Sequence, residues 1–425
     1  MTISRARVAD RRPTPPARLG ATILPDMRII GLMSGTSFDA IEAAAAAFDL
    51  RGAEVILRPL GSLSVSYPAD LQASIAATLP PATTTIGAVC EIDTRIGQAF
   101  AEAAALANER LVGGEAELIV SHGQTVYHWV EGAHARGTLQ LGQPAWIVAR
   151  TGLTVVSDLR SRDIAAGGQG APLVSLFDVL LLGGETTATR AALNLGGIAN
   201  LTIMPPDSPP FAFDTGPANA LMDAVVAHRS GGRETFDRDG ARAARGRPHC
   251  ALLDRLLADP YYALPPPKST GREYFSLVHV TEALRVVGID GIDDVDEADL
   301  LATLAAITVE SVRRACAEYT VTELVVAGGG TRNPTVMRGL TESLPNIRIR
   351  TIDDWGIPVE AKEAYAFAML GFLSVHGLRG TVPTCTGARE PTVLGRISPG
   401  ATQLRLLPVP DANPTRLRIE TAQRF

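Results

Sequence analysis

Arg28-Ile-Ile-Gly-Leu-Met33 is an apolar run of strand length that stops at a small polar turn, Ser34-Gly-Thr-Ser37. An Ala-rich stretch beyond the turn reads as a second strand, so the chain opens strand–turn–strand. From Ile86 to Arg110 the apolar positions recur at helical spacing, and Glu117-Leu-Ile-Val-Ser121 reads as a strand ending in His122-Gly-Gln-Thr125. The opening pattern then repeats. Ala191-Ala-Leu-Asn-Leu-Gly-Gly197 runs into a glycine turn and a second strand, Ala199–Met204. Helices are expected over Asn219–Arg229, His249–Ala258, Leu301–Tyr319 and Asn333–Leu344, with a strand at Leu324–Ala327 and a last long helix over Val359–His376. This alternation predicts two α/β lobes of duplicated architecture with a site in the cleft between them. The lobes are drawn over 28–188 and 189–400, with the late helix 359–376 near the cleft, a flexible leader over 1–27 and a tail over 401–425. Trp129, Trp146 and His128 are expected to be packing residues.

Length and composition narrow the class. A chain of 425 residues has room for two lobes, and 46% hydrophobic with 20% charged residues describes a compact enzyme rather than a disordered chain. A formal charge of −6 argues against a nucleic-acid partner. Cys90, Cys250, Cys316 and Cys385 are scattered without metal or disulfide spacing, which fits a reducing compartment. No run is long and apolar enough for a membrane span, and the first 25 residues lack a secretory apolar core. A cytoplasmic protein with no membrane partner is expected. Arg5, Arg7, Arg11, Arg12 and Arg18, with Asp10 as the one acid among those 25 residues, suit a flexible arm or a start at Met27 better than a transit peptide.

The chain contains neither a GxxxxGK[ST] loop nor a GxGxxG strand–helix turn. It does contain three glycine-bearing turns after apolar strands: Ser34-Gly35-Thr36-Ser37, Asn194-Leu-Gly196-Gly197 and Gly328-Gly329-Gly330-Thr331, the last followed by Asn333. Such turns bring backbone N–H groups close to phosphate oxygens, although singly most only reverse the chain. Asp39, just past the first turn, and Glu363, in the late helix, are candidate ligands for a hard cation such as Mg2+; taken singly, each is more often a solvated acid at an element end. Asp214, between an apolar strand and a Gly-Pro turn, suits a catalytic base or an Asx-type cap. His122 and Gln124 are candidate substrate ligands, with a structural hydrogen-bonding role as the alternative. The segment from Ser157 to Pro172 mixes Asp158, Arg160, Arg162 and Asp163 with glycines, as a polyol-binding loop or a surface ion-pair cluster does.

Taken in order, Gly31-Leu-Met-Ser-Gly-Thr-Ser37 with Asp39, Ser121-His-Gly-Gln-Thr125, Gly167-Gly-Gln-Gly-Ala-Pro172, Asn194-Leu-Gly-Gly-Ile-Ala-Asn200, Phe213-Asp-Thr-Gly-Pro217, Pro267-Lys-Ser-Thr-Gly-Arg-Glu273, Gly328-Gly-Gly330 and Lys362-Glu-Ala364 resemble the anhydro-N-acetylmuramic acid kinases from about Arg28 to Pro399. The resemblance implies a two-lobed actin-like ATPase fold (the sugar kinase/Hsp70/actin superfamily, with ribonuclease H-like lobes), a homodimer, and ATP with Mg2+ between the lobes. It also implies that water opens a 1,6-anhydro ring while O6 takes the γ-phosphoryl group. Asp214 then matches the base that activates this water, Asp39 and Glu363 the metal-linked acids, and Arg160, Asp163 and Gln169 the sugar-binding segment.

The chain departs from the family pattern at Asp39-Ala-Ile-Glu42, where Asp-Gly-x-Asp is usual, at Ala218, where glycine is usual, and at Phe177-Asp178, where phenylalanine-histidine is usual. Phe177-Asp178 together with Lys362-Glu363 also resembles the levoglucosan kinases, a sister group acting on 1,6-anhydroglucose. A non-catalytic binding protein of the same fold is a third reading.

Overall fold

The structure is a computed structural model that describes residues 26–35, 38–79, 82–131, 134–184, 186–271, 274–402, 407–410 and 412–421. The leader up to residue 25, Thr36 and Ser37 of the first turn, and Arg272 and Glu273 lie outside the described residues.

Strands β1 (Met27–Ser34), β2 (Ala40–Arg51) and β3 (Glu54–Ser66) form an antiparallel meander, and β4 (Leu118–Glu131) adds parallel to β1. β5 (His134–Leu141) pairs back on β4, and β6 (Thr154–Ser157) adds parallel to β4 on the far side of β1. The second sheet repeats the plan. β7 (Arg190–Leu195), β8 (Ile198–Met204) and β9 (Phe211–Pro217) form the meander, then β10 (Glu323–Ala327) and β11 (Arg348–Thr351) add parallel beyond β7. Omitting later additions, the orders are β3-β2-β1-β4-β6 and β9-β8-β7-β10-β11. This duplicated topology is the two-lobed actin-like architecture, with ribonuclease H-like lobes, that the sequence predicts.

Local composition explains how the first sheet is covered. Ala43 to Ala47 of β2 are all buried; Ala43 and Ala45 join a cluster with helix Ile86–Val112, and Ala44 and Ala46 one with helix Lys362–Val375. A sheet covered on both faces favours small side chains where helices approach closely. Gly31 on β1 shows the limit: a Cβ there would run into the main chain of Ala364 and Ala368. Gly371 likewise lies against Val120 of β4. The late helix is thereby pressed against β1 and β4, and burying its Phe367 and Phe372 contributes roughly 1.5–3 kcal/mol each.

Several elements differ from the sequence reading. The strand begun at Glu117 does not stop at His122; Gly123, with φ +73°, lets β4 bend and continue to Glu131 as one arm of a hairpin. The late helix, drawn with the second lobe, packs on β1, β2 and β4. The last strands, β12 (Arg396–Ser398) and β13 (Arg416–Ile419), join the first sheet beside β6 and β3, so part of the expected tail is sheet. Helix Ser175–Leu182 touches both β13 and the pair β7 and β8, joining the lobes. Trp129 and Trp146 are partly exposed rather than core, each lying over a glycine, Gly137 and Gly97.

Candidate active site

The end of β1 and the bend of β4 build the first corner of the site. Ser34 is the register partner of Gln124, and its hydroxyl donates to Gln124 Oε1 at 2.6 Å. Gln124 Nε2 donates to the carbonyls of Gly35 and Thr125, and Tyr67 OH also donates to Oε1. Gln124 is fully buried, with its amide committed to shaping the first turn. Asp39 lies exposed beyond that turn, its carbonyl accepting from Tyr67 N and Gln72 Nε2.

His122 is buried in the same strand. Its Nδ1 lies 2.8 Å from the Gly123 carbonyl, and Arg160 Nε donates to its Nε2 at 2.8 Å. A carbonyl on one nitrogen and a guanidinium on the other require the neutral Nδ1–H tautomer. Burial, then the Arg160 charge, pushes its pKa down to about 3, against a weaker pull from the Gly123 carbonyl. Arg160 Nη1 also donates to Gly170 O at 2.6 Å. Burial lowers the Arg160 guanidinium from its ordinary value, while the charges of Glu363 and Asp163 oppose that shift.

Asp163 organises the following loop. Its Oδ1 accepts from Thr386 Oγ1 and its Oδ2 from Gly170 N, both at 2.8 Å, with Gly168 packed so closely that a Cβ would overlap the carboxylate. Burial raises this carboxyl, offset by those two hydrogen bonds and by Arg160. Gln169 Oε1 accepts from Ala135 N, tying the loop to β5. The sugar segment inferred from sequence therefore assembles around Arg160, with Asp163 and Gln169 bonding to its own framework.

The second corner lies where the late helix meets β7. Asn194 Nδ2 donates to Glu363 Oε1 at 3.3 Å. Asn194 and Leu195 also support the third turn: a Cβ on Gly328, at φ +90°, would meet Asn194 Oδ1 at 2.6 Å, and one on Gly330 would meet Leu195 Cβ at 2.7 Å. Gly329, by contrast, faces open space and begins a short 3-10 turn, whose first amides have no intrahelical partner. That geometry fits a phosphate group. The Gly196 and Gly197 carbonyls accept from the first amides of helix Asn219–Ser230. Asn333 is a helix cap, its Oδ1 accepting from Thr335 N and Val336 N at the start of helix Pro334–Ser343.

Burial raises the Glu363 carboxyl above the ordinary carboxylate range; Arg160 and Lys362 oppose this, and Asp178 adds to it. A half-buried acid in that position is suited to a divalent cation accompanying phosphates. Next to it Lys362 Nζ lies 2.6 Å from Asp178 Oδ1, an ion pair whose side chains are only 4% and 8% exposed. On the first-lobe side, burial raises Glu42, while Ser64 Oγ, bonded at 2.6 Å, and the Arg332 charge oppose the shift. Arg332 pairs directly with Glu360.

Asp214 belongs to a register row, Asn194–Asn200–Asp214, across β7, β8 and β9. Residues opposite one another share a sheet face. These three lie on the face away from Leu193, Leu195, Leu201 and Phe213, which enter the second lobe's helical core. Two interstrand steps of about 4.8 Å place Asp214 roughly 10 Å from Asn194. Thr270 N and Ser269 Oγ donate to Asp214 Oδ2 at 2.8 and 3.2 Å.

Sequence reasoning brought Ser34, His122, Arg160, Glu363, the glycine turns and Asp214 into one candidate site. It missed the roles of Asn200, Lys362 with Asp178, Ser269 and Arg332. Asn200, Ser269 and Lys362 stand within motifs that carry the family resemblance, and Asp178 within one of the departures from it, but no local pattern showed which partners they take.

The sequence profile of the anhydro-N-acetylmuramic acid kinases matches residues 27–400. An anhydro-N-acetylmuramic acid kinase of Streptomyces avermitilis is 56% identical over 394 residues, covering 93% of this chain and 100% of that protein. One of Rhodococcus erythropolis is 54% identical over 402 residues, with coverage of 93% and 100%. Among solved structures, the ADPNP-bound activator of the 2-hydroxyisocaproyl-CoA dehydratase of Clostridium difficile shares 13% identity, with a TM-score of 0.40 over 81% of this chain and 94% of that one. With the family profile spanning both lobes and relatives above one-half identity over nearly the whole length, the chain belongs to the anhydro-N-acetylmuramic acid kinase family.

Proposed function

We propose that the chain is an ATP-dependent kinase that opens 1,6-anhydro-N-acetylmuramic acid with water and phosphorylates O6, giving N-acetylmuramic acid 6-phosphate and ADP. The observation that carries this reading is Asp214 in one row with Asn194, which itself bonds Glu363 and supports the Gly328-Gly-Gly330 turn. In an anhydro sugar O6 has no proton to remove, so the useful place for a base is beside the water facing C1. Asp214 takes a proton from that water as its oxygen bonds to C1. The C1–O6 bond breaks, O6 bonds to the γ-phosphorus, and the bond from phosphorus to the ADP oxygen breaks. O6 leaves as in an inverting glycoside hydrolysis, with phosphorus in place of a proton donor.

The residues divide the remaining work. Arg160, held by His122 and Gly170, presents a half-buried cation in the sugar segment. Open Gly329 and the Ser34-Gly35 turn face the phosphates, and Asp39 and Glu363 are the carboxylates proposed to hold Mg2+. That ion, when bound with ATP, offsets charge on the phosphoryl oxygens. A homodimer, a cytoplasmic location and a place in cell-wall recycling belong to the same proposal.

The test is ADP release with 1,6-anhydro-N-acetylmuramic acid and levoglucosan side by side, using Asp214→Asn as control. Turnover of the muramic sugar, with kcat falling about 10²–10⁴-fold in the variant, is expected. Preference for levoglucosan would move the chain to the sister activity, and turnover of neither would leave a binding protein.

A further inference from the structure

Asp214 sits on β9, which is an edge strand of the second sheet among the described residues, so one side of its backbone meets no strand there. A loop fills that side. Asp214 N donates to Lys268 O at 3.0 Å, and Tyr261 OH donates to Asp214 O at 2.8 Å. The carboxylate is gripped by the same loop, through Thr270 N and Ser269 Oγ on Oδ2. One segment thus holds the amide, the carbonyl and a carboxylate oxygen of the same residue.

The loop is itself anchored. Lys268 Nζ donates to the carbonyls of Tyr261 and Tyr262 at 3.2 and 3.1 Å and stands 4.9 Å from the centre of the Tyr261 ring. Tyr261, buried in the second lobe's core, closes the loop onto β9. Lys268 and Tyr261 therefore fix where Ser269 and Thr270 are presented. Thr270 contributes a backbone donor that any non-proline residue would supply, whereas Ser269 contributes a side chain. Ser269 is exposed, so its core packing does not explain why a hydroxyl stands there.

We infer that Ser269 is a positioning residue for the ring-opening step, fixing with Thr270 N–H the rotation of the Asp214 carboxylate that takes the proton from water. Two donors on one oxygen hold the orientation of the carboxylate toward the water it serves. The inference rests on the reading of Asp214 as base. Ser269 acts through Asp214 and need not touch sugar or nucleotide, so its loss should appear in kcat, not in substrate affinity.

The experiment compares Ser269→Ala, Ser269→Thr and Asp214→Asn with the unaltered chain, measuring kcat, KM for ATP, KM for the anhydro sugar and thermal midpoint. Ser269→Ala is expected to lose about tenfold in kcat, the scale of one hydrogen bond to a charged group, with both KM values within about twofold and the midpoint unchanged. Ser269→Thr, which keeps the hydroxyl, is expected to recover most of that loss. Unaltered kcat in Ser269→Ala, a loss confined to KM, or a threonine variant no better than alanine would overturn the positioning role while leaving Asp214 as base if Asp214→Asn is inactive. Full turnover by Asp214→Asn would instead overturn the base assignment and the role of Ser269 with it.

Discussion

Removing Asp178 should destabilise the junction between the lobes. Asp178 lies on helix Ser175–Leu182, which touches β13 on one side and β7 and β8 on the other, and its carboxylate meets Lys362 at the start of the late helix. With side chains 4% and 8% exposed, neither partner can recover its lost interaction from water. Breaking such a pair by deleting one charge costs about 3–5 kcal/mol, most of it from the stranded partner. At about 2–4 °C per kcal/mol for a lobe of roughly 200 residues unfolding as a unit, Asp178→Ala should lower the midpoint of that lobe's transition by roughly 10 °C. Exchanging both charges, Asp178→Leu with Lys362→Met, should return the midpoint close to its starting value, because an apolar pair replaces the ions without leaving either alone. The assay is a double-mutant cycle by calorimetry without nucleotide. Single variants that each shift the midpoint by under 2 °C, or a double variant equal to the sum of the singles, would refute a tightly coupled buried pair.

Two further outcomes follow from the site's packing. His122 is pushed down to about 3 from 6.5, so the unfolded chain binds its proton first on acidification. The stability this contributes is complete above about pH 6.5 and is lost at about 1.4 kcal/mol per pH unit as the pH falls from there toward 3. Urea unfolding at pH 6 and 5 should therefore show a shallower acid slope in His122→Gln, and equal slopes would contradict a neutral buried imidazole. Gly31→Ala places a methyl against the main chain of Ala364 and Ala368; it should cost about 1–3 kcal/mol and raise KM for ATP by displacing Glu363. A variant with unchanged midpoint and KM would show that the late helix moves freely.

Much of the framework was readable because it is local. The two strand–turn–strand openings, the Ile86 helix and the late helix follow from apolar spacing, and the ordered glycine turns carried the family resemblance. His122-Gly-Gln-Thr125 misled because a polar run resembles a loop; here Gly123 supplies the bend and Ser34 satisfies Gln124, so polarity is compatible with burial inside β4. Lys362 and Asp178 stand far apart in sequence, and only the packing of two distant helices makes them a pair. Ser269 and Asp214 are likewise joined by a loop docking on an edge strand, which no periodicity encodes. The return of β12 and β13 to the first sheet was hidden for the same reason.

The central claim is that ring opening by water and phosphoryl transfer to O6 are one event guided by Asp214. The most direct measurement is mass spectrometry of the early product formed from ATP and 1,6-anhydro-N-acetylmuramic acid in 18O-labelled water. The account predicts a single labelled oxygen on the anomeric carbon and none in the transferred phosphoryl group; a phosphorylated sugar with its anhydro ring intact, or label in that phosphoryl group, would contradict it.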